Sequence, residues 1–127
     1  MYYPDLTLYC YNASDKAPNV LNVGWLDASY PFRRKKASVD LLDLLFEKCL
    51  DRVNLTRGWH DCQFCQSSNR GVEVSRHGKK ITLGSAEIRV EGKDGRVYAA
   101  PNLIYHYVLE HEYDPPHEFV EALFSYF

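Results

Sequence analysis

Residues 59–65 read Trp59-His60-Asp61-Cys62-Gln63-Phe64-Cys65. The His-x-Cys-x-x-Cys pattern inside them constrains this chain more than any other stretch. Two cysteines at this spacing let both sulfurs converge on one ion from a tight turn. Zinc in a small protein takes four such ligands, usually Cys thiolates and His imidazoles. His60 can supply a third donor from the same loop. The fourth has to come from elsewhere, and the candidates are His77, His106, His111 and His117. One Cys-x-x-Cys is a less specific signal than two.

Helix phase ranks the histidines. The run from Pro101 through Leu103-Ile104-Tyr105-His106-Tyr107-Val108-Leu109-Glu110-His111 reads as a helix stopped by Asp114-Pro115-Pro116, since a residue before proline disfavours helical backbone. At about 100° per residue, Leu103, Ile104, Tyr107, Val108 and His111 fall in one arc, and His106 points away from it. The expected ligand set is therefore His60, Cys62, Cys65 and His111, holding a structural zinc. A rival set of Cys62, Cys65, His106 and His111 has the spacing of a zinc finger. It places the two rings about 140° apart on a regular helix, so the last turn would have to unwind, which Pro115 allows. Without a metal, His111 reads as a core histidine, and Cys62 and Cys65 as buried thiols or an incidental disulfide.

Catalytic patterns do not accompany the knuckle. The zinc deaminase signature, His-x-Glu with a later Pro-Cys-x-x-Cys, is absent, as is His-Glu-x-x-His. A thioredoxin-like role wants Cys-x-x-Cys opening a helix, whereas the polar Gln66-Ser67-Ser68-Asn69-Arg70-Gly71 follows here. Asp61 and Glu110 are carboxylates that a zinc enzyme could use as a base, but no spacing favours either. A closed four-ligand site is structural; a catalytic one keeps a position for water.

The rest of the chain reads as one α+β domain over residues 1–127. At 127 residues it can bury a core without staples. Leu6–Tyr11 and Val20–Leu26 read as strands, and Asp27–Pro31 as a turn. Ser38 to about Arg52 is a helix, with Ser38 as its cap and Leu42, Leu45, Phe46 and Cys49 on one face. Cys49 and Cys10 read as core residues. Strands follow around Val72–Val74, Lys80–Leu83, Ala86–Val90 and Arg96–Ala99, with a hairpin turn at Lys93-Asp94-Gly95. They form an antiparallel sheet of three or four strands, packed by about three helices, the last from His117 to Phe127.

Charge gives weak direction. The net charge is −2, which argues against nucleic acid as partner. Arg33-Arg34-Lys35-Lys36 reads as a solvated loop, although basic groups before a helix oppose its dipole. Residues 101–127 contain no Lys or Arg, so that end is acidic, most simply as a solvated face. No signal peptide and no apolar stretch of spanning length are seen. The expectation is a cytoplasmic protein without a membrane association, in which a close cysteine pair is a metal or redox site rather than a disulfide.

Three stretches occur together: Val23-Gly24-Trp25-Leu26-Asp27, Arg57-Gly58-Trp59-His60-Asp61-Cys62-Gln63-Phe64-Cys65, and Gly84-Ser85-Ala86-Glu87-Ile88-Arg89-Val90 running into Tyr98-Ala99-Ala100-Pro101-Asn102-Leu103-Ile104-Tyr105-His106-Tyr107. With the ending His111–Phe119 they make the chain resemble a family of small uncharacterised bacterial proteins, from about residue 20 to the end. The resemblance implies no activity. Ten tyrosines, the acidic end and the lack of a catalytic pattern suit a protein-binding surface. The expected function is a small interaction protein with a structural zinc, of the immunity or inhibitor kind, whose partner is another protein. A zinc-dependent enzyme of small substrates is the alternative, and a nucleic-acid binder using Arg33–Lys36 comes third.

Overall fold

Ser38 starts the best-formed helix. The computed structural model describes residues 3–8, 19–51, 62, 64 and 72–126. Within it, helix α1 spans Val39–Leu50. The Ser38 hydroxyl accepts the Leu41 N–H at 3.1 Å, satisfying one donor the first turn leaves without a helical partner. Asp40 in that turn suits the dipole. Leu41, Leu45, Phe46 and Cys49 make the buried face, close to the expected stripe. Cys49 is in the core as expected: its thiol donates to the Asn102 carbonyl at 3.5 Å. Burial pushes its pKa up to about 12, so it stays a protonated thiol near neutral pH.

The strands are β1 (Val20–Asn22), β2 (Val72–Arg76), β3 (Lys79–Leu83), β4 (Glu87–Glu91) and β5 (Val97–Pro101). They make two small sheets rather than one meander. A three-stranded sheet has the order β1-β5-β4, and β2-β3 stand as a separate hairpin. β4 pairs antiparallel with β5, as the Lys93–Gly95 turn predicts. β1 pairs parallel to β5, with Val20 opposite Val97, so the sheet is mixed and not purely antiparallel. The hairpin turns through His77 and Gly78, both at positive φ (54° and 78°), the backbone that a two-residue type I′ connection requires. Between β3 and β4 the chain bends at Gly84, whose N–H donates to Asn102 Oδ1 at 2.8 Å. That bend sends β4 to β5 instead of back along β3.

Two helices complete the α+β fold: α2 (Ile104–His111) and α3 (His117–Tyr126). Pro101 does not open α2 as the sequence suggests. It is the last residue of β5, opposite Glu87, an end position where the missing N–H is tolerated, and the helix begins three residues later. α1 packs against α2, α3, β3 and β4, and α3 lies on β4. Leu45, Phe46, Ile88, Ile104, Phe119 and Leu123 are fully buried between them. Gly24 permits this closure: its φ is +77°, and a Cβ there would stand 2.9 Å from Ile104 Cδ1. Among the described residues, no helix is long and apolar enough to cross a membrane. The expected strand Leu6–Tyr11 is not formed over its described part, where Leu6 is in a turn with φ 66° and Leu8 makes a single bridge to Leu21; Tyr9–Tyr11 and the core role of Cys10 lie outside the described residues, as do His60 and Cys65.

Candidate metal centre

α2 is enclosed rather than amphipathic in its first two turns. Ile104, Tyr105, His106, Tyr107 and Val108 are five consecutive buried residues. A helix packed all round has no outward face on which to leave a histidine. This overturns the phase reading of His106: it is only 6% exposed. Leu109 and Glu110 are the exposed positions. His111 closes the helix and is half-buried.

The end of α2 is wider than a regular turn. The N–H of Glu112 bonds to the Tyr107 carbonyl, five residues back, and Glu112 itself is left-handed (φ 56°, ψ 30°). The Tyr113 N–H reaches the same carbonyl at 3.0 Å. A five-residue closure brings positions i and i+5 towards one side of the helix, where a four-residue closure would splay them. The His106 and His111 rings meet accordingly, centroids 5.0 Å apart and edge to face.

Cys62 joins them from the middle of the chain. Its Sγ lies 3.3 Å from His111 Nε2, and the residue is 5% exposed. One donor atom from each of Cys62, His106 and His111 lies within 4.8 Å of the others. Sulfur and nitrogen bound to one tetrahedral zinc, at about 2.3 and 2.0 Å, would be roughly 3.6 Å apart. The Cys62–His111 pair is thus close to ligand spacing, and the trio could hold a metal ion.

Aromatic rings fix this geometry from outside. Phe64, two residues after Cys62, packs on His111 (5.4 Å), on Tyr107 (6.0 Å) and on Phe32 (5.2 Å). Phe32 packs in turn on Tyr113 at 6.0 Å. The Arg34 guanidinium sits over Phe32 and donates to the His111 carbonyl at 3.2 Å. These contacts hold the His111 ring in place beside Cys62.

Electrostatics suit metal binding as well. Burial lowers the pKa of His106, helped by the His111 charge and opposed by Glu110. Burial also lowers that of His111, with Glu110 opposing and Arg34 assisting. Both imidazoles are therefore neutral at neutral pH, the form that coordinates metal.

Of the four expected ligands, the structure brings Cys62 and His111 together and adds His106. His60 and Cys65 lie outside the described residues. The remaining candidates are elsewhere: His77 Nε2 is 3.0 Å from Asp43 Oδ1, and His117 Nε2 is 2.7 Å from Glu121 Oε1. The signal for His106 was its spacing to His111, which falls within the His-x₃₋₅-His range of zinc sites.

The chain belongs to a family described as a domain of unknown function, DUF7919, whose model matches residues 1–124. This agrees with the resemblance to a family without established activity. No curated protein and no solved structure matches the chain.

Proposed function

We propose that this DUF7919 protein is a non-enzymatic interaction protein whose fold is fastened by a structural zinc ion at Cys62, His106 and His111. The observation that carries the reading is the convergence of these three donors within 4.8 Å from two segments far apart in sequence. Zinc is the natural occupant, since one thiolate and two imidazoles match its preferred donors. The fourth ligand is expected from the same loop, where the sequence offers Cys65 and His60. Cys-x-x-Cys with His-x₄-His favours Cys65.

Burial supports a closed site over a catalytic one. Cys62 and His106 are 5% and 6% exposed, which suits a clasp better than a centre that must admit substrate and water. The clasp ties the middle loop to α2, and the surface it steadies is the part of the molecule that would meet another protein. A partner of the immunity or inhibitor kind is the concrete version, in keeping with a small chain that shows no catalytic pattern. A cytoplasmic location goes with it, because reduced thiols bind metal.

Elemental analysis of purified protein, beside the Cys62→Ser variant, tests the zinc. Cobalt substitution tests the class of site. Strong tetrahedral d–d bands that added small anions leave unchanged are expected for a closed site. Bands that shift with azide or cyanide would reveal an open position and favour the zinc-enzyme alternative.

A further inference from the structure

We infer that the groove centred on Arg33 and Asp114 docks an extended, acidic peptide segment of a partner protein. The inference deepens the interaction role proposed above and rests on it. Two cavities, of about 360 and 340 Å³, share Arg33 and Asp114 in their linings. The first is edged by Lys35, Lys36 and Phe124, the second by Leu6, Tyr30 and Pro31. A bipartite groove of this kind offers basic contacts on one side and apolar, aromatic contacts on the other.

The charges in it are unbalanced in a specific way. Both acids that line the groove have partners. Asp114 faces Arg33 at 3.6 Å, and Asp5, which also lines the second cavity, accepts from the Tyr113 hydroxyl at 2.6 Å and the Gly24 N–H at 3.0 Å. Lys35 and Lys36 are exposed and have no carboxylate partner among the described residues. They stand just before the Ser38 cap, where positive charge works against the α1 dipole. Helix stability therefore does not account for them, whereas an anionic occupant would be favoured by both the lysines and the helix end.

Backbone hydrogen bonds join the two segments that carry Arg33 and Asp114. The Lys35 N–H donates to the Glu112 carbonyl at 2.8 Å, and the Asp114 N–H to the Arg33 carbonyl at 3.0 Å. Residues 33–35 and 112–114 thus form a short antiparallel ladder around the Arg34–Tyr113 bridge. At the apolar end Leu6 is held in left-handed backbone, φ 66°, by its N–H bond to the Asn22 carbonyl at 2.7 Å. It remains 36% exposed, with Tyr30 at 49%. A leucine in left-handed backbone, exposed beside an exposed tyrosine, is explained by contact with something else. Preformed walls lower the ordering cost of that contact.

A peptide fits better than a nucleic acid. The chain carries a net charge of −2, and the basic side of the groove is short, while the other half is mostly apolar with the hydrogen-bonded Asp5 among its lining residues. A phosphate backbone wants a continuous basic track; a segment alternating acids with Leu, Tyr or Phe matches both halves.

The test is fluorescence anisotropy at moderate salt with three labelled probes. One is a peptide alternating Glu with Tyr and Leu, one is its Lys-for-Glu counterpart, and one is a short single-stranded DNA. The acidic peptide should bind and the other two should not. Lys35→Glu with Lys36→Glu should weaken it roughly tenfold or more, and Tyr30→Ala several-fold, while Glu91→Lys, in a different cavity, changes nothing. All these side chains are exposed, and unchanged circular dichroism and zinc content check the fold. Tighter binding of DNA, or equal binding by the charge-reversed variant, overturns the inference. A co-purifying natural partner that binds the charge-reversed variant as tightly as wild type also overturns it, yet leaves the interaction role standing. Absence of any polypeptide partner for either form removes both.

Discussion

Cys62 Sγ stands 3.3 Å from His111 Nε2 although 49 residues separate them in sequence. With the His106 ring they bring one thiol and two imidazoles together, a donor set that one ion could share. The proposed zinc, shared by all three, would contribute to folding directly, by about 10–16 kcal/mol of apparent binding in small zinc peptides. Cys62→Ser and His106→Ala are each expected to abolish stoichiometric zinc. A strong chelator should lower the wild-type urea midpoint substantially and leave the Cys62→Ser midpoint unchanged. Elemental analysis and urea titration check this, and a wild-type protein without metal would refute the site. His60→Ala and Cys65→Ser, run in parallel, identify the fourth donor.

Gly24 and Gly78 offer a comparison of space against strain. Both have φ near +78° (77° and 78°), so alanine costs backbone energy at either, about 1–2 kcal/mol. At Gly78 nothing lies within 4 Å of an added Cβ; at Gly24 Ile104 Cδ1 is 2.9 Å away. Gly78→Ala should therefore lose about 1 kcal/mol and Gly24→Ala about 2–4 kcal/mol, the overpacking adding to the strain. Equal losses in chemical denaturation would mean that Ile104 yields freely.

The elements legible in the sequence are those set by local signals. Ser38, the Leu45-Phe46-Cys49 stripe, the Lys93–Gly95 turn and the Pro115-Pro116 stop each act over a few residues, and each appears where expected. The partner of β1 was not legible, because a parallel pairing such as Val20 with Val97 leaves no local trace. His106 was misplaced for a related reason. Helix phase assumes one buried face, and α2 is enclosed by α1 on one side and the Phe64 loop on another. The widened turn at Tyr107–Glu112 then removed the angular objection to His106 beside His111.

Asp43 anchors the hairpin tip to α1 and predicts an acid limb of stability. Arg76 Nε donates to Asp43 Oδ1 at 2.6 Å, and His77 Nε2 lies 3.0 Å from the same oxygen. The His77 and Arg76 hydrogen bonds hold the Asp43 carboxyl below its usual value of 3.8. A depressed carboxylate pKa contributes stability above the unfolded value, and that contribution disappears as pH falls through the folded one. Asp43→Asn should therefore flatten the stability-against-pH curve below about pH 4. Loss of the ion pairs should also weaken protection of the β2–β3 amides in hydrogen exchange. An unchanged acid limb would show that Asp43 is not the group responsible.

The alkaline limb rests on two buried phenols. Tyr113 Oη donates to Asp5 Oδ2 at 2.6 Å, while Asp5 Oδ1 accepts the Gly24 N–H at 3.0 Å. One carboxylate thus pins residues 5, 24 and 113 together. Burial and the Asp5 charge raise the Tyr113 pKa well above 10. Burial and the hydrogen bond to Glu118 push Tyr98 up to about 12. Below pH 10 both phenols are protonated, folded or unfolded, and stability is unaffected. Above it the unfolded chain releases protons that the folded chain keeps, so stability falls as pH rises from about 10 towards 12. Tyr113→Phe with Tyr98→Phe should reduce that slope in urea midpoints measured from pH 9 to 11. At neutral pH, Tyr113→Phe alone should cost about 1–2 kcal/mol, because the Asp5 carboxylate loses a charge-assisted donor. A Tyr113→Phe protein as stable as wild type at pH 7 would mean that water replaces the phenol on Asp5 without loss.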